Sequence, residues 1–214
     1  MSREQPRRRY TSRLREQQAS ETRERIIRAA AELFASGGYA GTSLPQIARA
    51  ADVSTETVQS HGPKIRLLHA AIDLLSFGTG DEGEVLDTDL GSRFRTAGSA
   101  ADAARISAVI LAEVNSRSHG LWLAFSEAAR SDPELAASLR RLTESIREEN
   151  LRVTGLWRSH GWLREDVPDV ELARWGAVIG SVEVYDRVVR IEGAGLEAYR
   201  NLIARLMREL MVKD

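Results

Sequence analysis

Ser43-Leu44-Pro45-Gln46-Ile47-Ala48-Arg49-Ala50-Ala51-Asp52-Val53-Ser54-Thr55-Glu56-Thr57-Val58 decides the fold of this 214-residue chain. Ser43 followed three residues later by Gln46 predicts a capping box, in which the glutamine reaches back to the cap and a helix begins. Ile47, Ala48 and Ala51 form an apolar face with small members, which lets a second helix cross closely. The Ala51-Asp52 corner turns the chain, and Ser54 caps the next helix. That helix turns Thr55, Glu56, Gln59 and Ser60 outward and Val58 inward, so a short polar surface rides on an apolar anchor. Two short helices joined by such a turn form a helix-turn-helix, a unit whose common use is the reading of duplex DNA.

Working outward, residues 20–64 read as one unit. Ser20 or Thr22 caps a first helix, Ile26, Ile27, Ala30, Leu33 and Phe34 recur at helical spacing, and Gly37-Gly38 closes it. Tyr39 then tucks under the bundle. His61-Gly62-Pro63 is a breaker, after which Lys64 starts a connecting helix with Ile65, Leu68, Ile72 and Leu75 on one side. Residues 1–19, rich in Arg and Gln and without apolar periodicity, are expected to be a disordered basic arm.

Residues 65–214 are expected to form a second, helical domain. Residues 78–92 hold five acids, four glycines and no basic residue, which suits an exposed loop. Helices are expected over Ala100 to Val114 and Leu121 to Ala129, and Asp132-Pro133 starts another. Leu135, Leu139, Leu142, Ile146, Val153 and Trp157 mark that helix and Gly161 ends it. Pro168 opens one running to about Arg190, and Gly195 precedes a last one with Tyr199, Leu202, Ile203, Leu206 and Leu210 on one stripe. No strand pattern and no repeat is visible, so the fold class is all-α.

Composition narrows the function. The absence of cysteine excludes disulfides and cysteine metal sites and suits a reducing compartment. No run approaches the roughly 20 apolar residues of a membrane span, so a soluble, cytoplasmic protein is expected. Residues 1–76 carry 12 Lys or Arg against 8 Asp or Glu, and residues 77–214 carry 18 against 23. A polyanion partner is therefore expected for the first part only. No phosphate-binding glycine loop, nucleophile elbow or histidine pair at metal spacing occurs, so neither catalysis nor a metal or cofactor is expected. Ser60-His61, Ser118-His119 and Ser159-His160 are neighbours that point about 100° apart on a helix and do not make a nucleophile and base.

The block Arg25 to Leu68, with Ala30, Leu33, Phe34, Gly38, Tyr39, Thr42, Ile47, Ala48, Val53, Ser54, Thr57 and Lys64, resembles the TetR-type transcriptional regulators. The resemblance covers roughly 50 residues and implies an all-helical homodimer. Its N-terminal domain would bind DNA, and its C-terminal domain would dimerise and bind an inducer. Three departures stand out. Asp52 replaces the usual turn glycine, and Asp tolerates a left-handed turn better than most side chains. The run Val58-Gln59-Ser60-His61-Gly62-Pro63-Lys64 is one residue short, with Gln59 at the place of a tyrosine and no aromatic after His61. Glu56 sets a negative charge at the start of the reading helix, repelled by phosphates unless it accepts from a cytosine amino group.

On this reading Thr55, Glu56, Gln59 and Ser60 face base edges, while Thr42, Ser43, Ser54, Thr57, His61 and Lys64 contact phosphates and set register. A dimer would place its two reading helices about 34 Å apart and require a palindromic operator. Trp175, Ala177, Val178, Ile179, Val182, Val184, Val188 and Val189, with Tyr199, Leu202, Leu206 and Leu210, are expected to pair two subunits through a four-helix bundle. The resemblance implies that Trp122, Phe125, Trp157 and Trp162 lie in the helices around an inducer cavity and supply apolar walls for a hydrophobic small molecule, with Asn150 an amide on an otherwise apolar stripe. The expected function is repression relieved by that inducer. The alternative is a helical dimer that acts through a protein partner, with DNA binding weakened or lost.

Overall fold

The structure, a computed structural model, describes residues 6–77 and 92–213. The first five residues of the expected arm and residues 78–91 of the expected acidic loop lie outside the described residues. Helices dominate: α1 Pro6–Gly41, α2 Leu44–Ala50, α3 Thr55–Ser60, α4 Lys64–Phe77, α5 Ala100–Ala128, α6 Pro133–Ser159, α7 Asp169–Ile179, α8 Val182–Tyr185 and α9 Leu196–Met211. One 3-10 turn, Arg93–Thr96, precedes α5, and one π-turn, Asp186–Ile191, follows α8. An isolated bridge between Leu163 and Val212 is the only extended pairing among the described residues.

Three expectations change. Helix α1 runs back to Pro6, through most of the stretch expected as a disordered arm, and Ser20 and Thr22 lie inside it rather than at its cap. Between Pro6 and Gly37 the chain holds neither glycine nor a second proline, and Arg, Gln, Glu and Ala are strong helix formers. The helix breaks where expected, at Gly38, whose φ of 70° and ψ of 165° leave helical space.

Helix α5 is continuous where two helices were expected. The polar residues of the supposed gap find partners without leaving the helix: Ser116 and Ser118 donate to the carbonyls of Glu113 and Val114, each at 2.9 Å. Gly120 marks a crossing, not an end, because a Cβ there would lie 3.4 Å from the Cβ of Ala35 on α1.

The helix expected from Pro168 to about Arg190 is instead broken at Gly180. A Cβ at Gly180 would lie 2.8 Å from Leu111 Cδ2 of α5, so a larger residue there requires the leucine side chain to shift. Asn115 Nδ2 takes up the carbonyl freed there, donating to Gly180 O and to the Tyr199 hydroxyl, each at 3.0 Å. Ser181 caps the short helix beyond the break by accepting from Val184 N.

Two main apolar cores result. In the first, Ile26, Ile27, Phe34, Ile47, Val58, Leu67 and Leu68 pack with Leu121 and Phe125 of α5 and Leu135 of α6. The helices of the second domain thus complete the core of the first, and the reading unit is seated on them rather than tethered. The second core packs Ala103, Ala104, Ala108 and Ala112, the small face of α5, against Trp157, Leu172, Tyr199, Ile203 and Met207.

Candidate nucleic-acid interface

Helices α2 and α3 are built as their caps predict. Gln46 Oε1 accepts from the Ser43 backbone N–H and from its hydroxyl, both at 2.7 Å. Ser54 Oγ accepts from Thr57 N at 3.1 Å, a cap worth about 1 kcal/mol. Between them Asp52 stands at φ 53°, the one left-handed non-glycine residue among those described. Val58 is fully buried and fixes α3 to the bundle. Glu56, Gln59 and Ser60 are exposed, Thr55 and Thr57 half-buried, and Ser43 and Ser54 exposed at the two helix starts. The expected readers and these hydroxyls are thus exposed or half-buried along α3 and at the starts of α2 and α3.

Two expected phosphate contacts are engaged within the fold. Thr42 is buried, and its hydroxyl donates to the carbonyls of Leu33 and Gly38 at 3.1 and 2.9 Å. It closes the end of α1 on itself, satisfying carbonyls that the helix break leaves open. Lys64 Nζ donates to the carbonyls of Tyr39 and Thr42 at 2.8 and 2.9 Å and sits 4.1 Å above the Tyr39 ring. Tyr39 in turn stacks on Phe34 at 5.4 Å between centroids, tucked under the bundle as expected. Burial lowers the Lys64 ammonium below its usual value. The lysine staples α4 to the end of α1, so its charge serves the fold before it serves a ligand.

Charge on the face is uneven. Glu56 is held below the usual carboxylate range, first by its own backbone N–H and then by the Ser54 hydroxyl, so it stays ionised. His61 is lowered by burial and then by the nearby Arg23, which leaves its imidazole neutral at neutral pH. Cations that sequence reasoning missed flank the helix pair. Arg49, in the last turn of α2, and Arg66, in the first turn of α4, are both exposed and have no ion-pair partner among the described residues. Their signal is present in the sequence, since each is one of the few basic residues beside the helix-turn-helix, but nothing local distinguishes a free arginine from a paired one.

The residues expected to wall an inducer site do not form one cluster, although Trp157 and Trp162 pack edge to face at 6.4 Å. Phe125 is buried in the first core, tilted against His69 at 6.0 Å. Trp122 Nε1 donates to Glu183 at 3.2 Å. Asn150 Nδ2 donates to the Ile146 carbonyl of its own helix at 2.9 Å, which satisfies the amide locally. Trp157 is buried in the second core, with its indole N–H lacking a partner. An open concavity of about 520 Å³ lies at the α5–α6 corner between Arg130 and Arg140 and another of about 700 Å³ on the outside of α1, and none of these residues lines either.

The expected dimer face is divided. Ile179, Val182 and Tyr199 are buried within the chain, whereas Val178 and Leu210 are 61 and 40 % exposed, with Val170 and Ile191 also open to solvent. The three Ser-His neighbours stay apart chemically. Ser60, Ser118 and Ser159 each donate to a carbonyl of their own helix, and His119 pairs with Asp186 at 2.8 Å.

Residues 26–61 match the family model of the bacterial regulatory proteins of the tetR family. No curated protein sequence matches the chain. Among solved structures, a TetR transcriptional regulator from Chloroflexus aurantiacus superposes with a TM-score of 0.64 at 21% identity, covering 92% of this chain and 100% of that one. NalD, the secondary repressor of the MexAB-OprM multidrug efflux pump in Pseudomonas aeruginosa, gives 0.69 at 17% identity over 92% and 99%. A protein from Saccharomonospora viridis in complex with choline gives 0.61 at 18% over 91% and 100%. At these identities the likeness establishes the fold, an N-terminal helix-turn-helix carried on a helical second domain.

Proposed function

We propose that this chain, whose residues 26–61 match the tetR family of bacterial regulatory proteins, is a member of that family and regulates transcription by laying α3 in the major groove of duplex DNA. The observation that carries this reading is the reading helix itself: Gln59 and Ser60 exposed on a helix whose Val58 is fully buried, in a unit pinned by Thr42 and Lys64. A rigid polar helix supported in this way suits direct readout, and Gln59 can pair with adenine through two hydrogen bonds. Ser43, Ser54 and Thr57 supply phosphate contacts at the helix starts, and Arg49 and Arg66 take the cationic role expected of Lys64.

The chain acts as a homodimer on a palindromic operator, with the exposed Val170, Val178, Ile191 and Leu210 as part of the surface a second copy covers. It represses until a mostly hydrophobic small molecule enters the second domain. Support for such entry is Trp157, whose buried indole N–H has no partner. NalD, a secondary repressor, and the choline-bound protein share this architecture.

Gel shifts on a selected operator test the assignment. Gln59→Ala relaxes one base position, whereas Arg49→Ala and Arg66→Ala weaken all sequences alike and each lower the salt slope by about 1. A binding profile unchanged by all three contradicts it. One observation favours the second reading, a dimer working through a protein partner: the reading face carries the Glu56 carboxylate and no cation of its own. Failure of the wild-type protein to shift any duplex in low salt would select it.

A further inference from the structure

The proposed DNA reading leaves one residue of α3 unexplained, because a carboxylate on a face turned toward phosphates weakens binding unless a base repays it. We propose that Glu56 is a specificity-determining residue that selects cytosine, through the N4 amino group, at one position of each half-site. This inference rests on the DNA-binding reading and deepens it by naming part of the sequence bound.

Position comes first. Glu56 is the second residue of α3, and in a helix-turn-helix the N-terminal residues of the second helix reach the base edges. Gln59 lies three residues later on the same outward face, about 4.5 Å further along the axis at 1.5 Å per residue. That advance is close to the step of about 3.4 Å between bases on one strand. Glu56 and Gln59 therefore address neighbouring base pairs.

Charge comes second. Glu56 is exposed and makes no salt bridge with any described residue, while exposed acids elsewhere in the chain commonly do, as Glu24 does with Arg28 and Glu144 with Arg147. Its own backbone N–H and then the Ser54 hydroxyl hold the carboxylate in its ionised form. An ionised carboxylate only accepts hydrogen bonds.

The groove supplies the rest. Guanine presents N7 and O6 and thymine presents O4, all acceptors that repel a carboxylate. Adenine presents its N6 amino group beside the N7 acceptor, which faces the second carboxylate oxygen. Cytosine offers the N4 amino donor with no acceptor of its own beside it. The expected order at this position is cytosine, then adenine, then guanine and thymine.

The test is selection of bound sites from random duplexes by the full-length protein, followed by titration of the best duplex with that one position changed. Wild type enriches cytosine beside the position that Gln59→Ala relaxes, and replacing it by guanine weakens binding about tenfold or more. Glu56→Ala flattens that position alone. Glu56→Gln, whose amide both donates and accepts, moves the preference toward adenine. If Glu56→Ala instead tightens binding to all sequences equally and leaves every base preference intact, the carboxylate is only a repulsive neighbour and the proposal is overturned. Recovery of no duplex by the wild type would sink the DNA reading itself, a result distinct from either outcome.

Discussion

The turn at Asp52 and the break at Gly180 both interrupt a run of helix, yet opposite kinds of force make them. At Asp52 everything needed lies within a few residues: caps at Ser43 and Ser54, and a side chain that accepts φ 53°. At Gly180 the partners lie far along the chain: Leu111 fills the space a Cβ would take, and Asn115 binds the freed carbonyl. Local chemistry shapes the reading unit, and long-range packing shapes the second domain on which it is seated.

The comparison can be broken by mutation. Phe125→Ala is expected to have the largest effect: the ring is fully buried in the first core although it comes from the second domain, so urea unfolding should show a loss of about 3–5 kcal/mol. Both halves should unfold in one transition. An early, separate melting of residues 20–64 with the remainder intact would show that the two cores are independent.

Gly180→Ala is expected to cost about 1–3 kcal/mol by overpacking, and shortening its neighbour by Leu111→Ala should recover part of that cost in a double-mutant cycle. Strict additivity would mean that the break has another cause. Asp52→Val forces a β-branched residue into left-handed space and should cost about 1–2 kcal/mol, whereas Asp52→Gly should be neutral or slightly stabilising. Neither change at Asp52 should depend on the identity of residue 111.

The smallest expected effect is one of pH. Burial and then Arg23 lower His61, so the folded state favours the neutral ring. That contribution to stability is present above the unfolded value of about 6.5 and is lost as pH falls through the lowered folded value. DNA phosphates pull the other way by favouring the protonated ring. Affinity for DNA should therefore rise as pH falls from the ring's DNA-bound value toward its lowered free value, by no more than about tenfold per pH unit, and His61→Asn should remove that slope. An identical slope in the variant would place the titrating group elsewhere.

These contrasts explain which features the sequence could reveal. Ser43 with Gln46, Ser54 with Thr57 and Gly38 are legible because each partner lies within four residues. Sequence alone assigns Thr42 and Lys64 to phosphates because helix starts and cations suit phosphates in general. Their actual partners are the carbonyls at the end of α1, as far as 25 residues back, which periodicity does not locate. Phe125 and Trp157 share an apolar pattern, yet one joins the first core and the other the second, a choice fixed only when α5 and α6 are packed. Asn150 shows the same limit at short range, since a carbonyl of its own helix satisfies the amide that the apolar stripe would offer to a ligand.

The most direct test of the central claim, that the outward face of α3 reads duplex DNA in pairs, is the arrangement of the motif enriched when the purified protein selects from random duplexes. The account predicts an inverted repeat whose half-site centres lie about 10 base pairs, or a multiple of that, apart. Enrichment of no motif, or of a single unrepeated site bound equally well after Gln59→Ala, would contradict it.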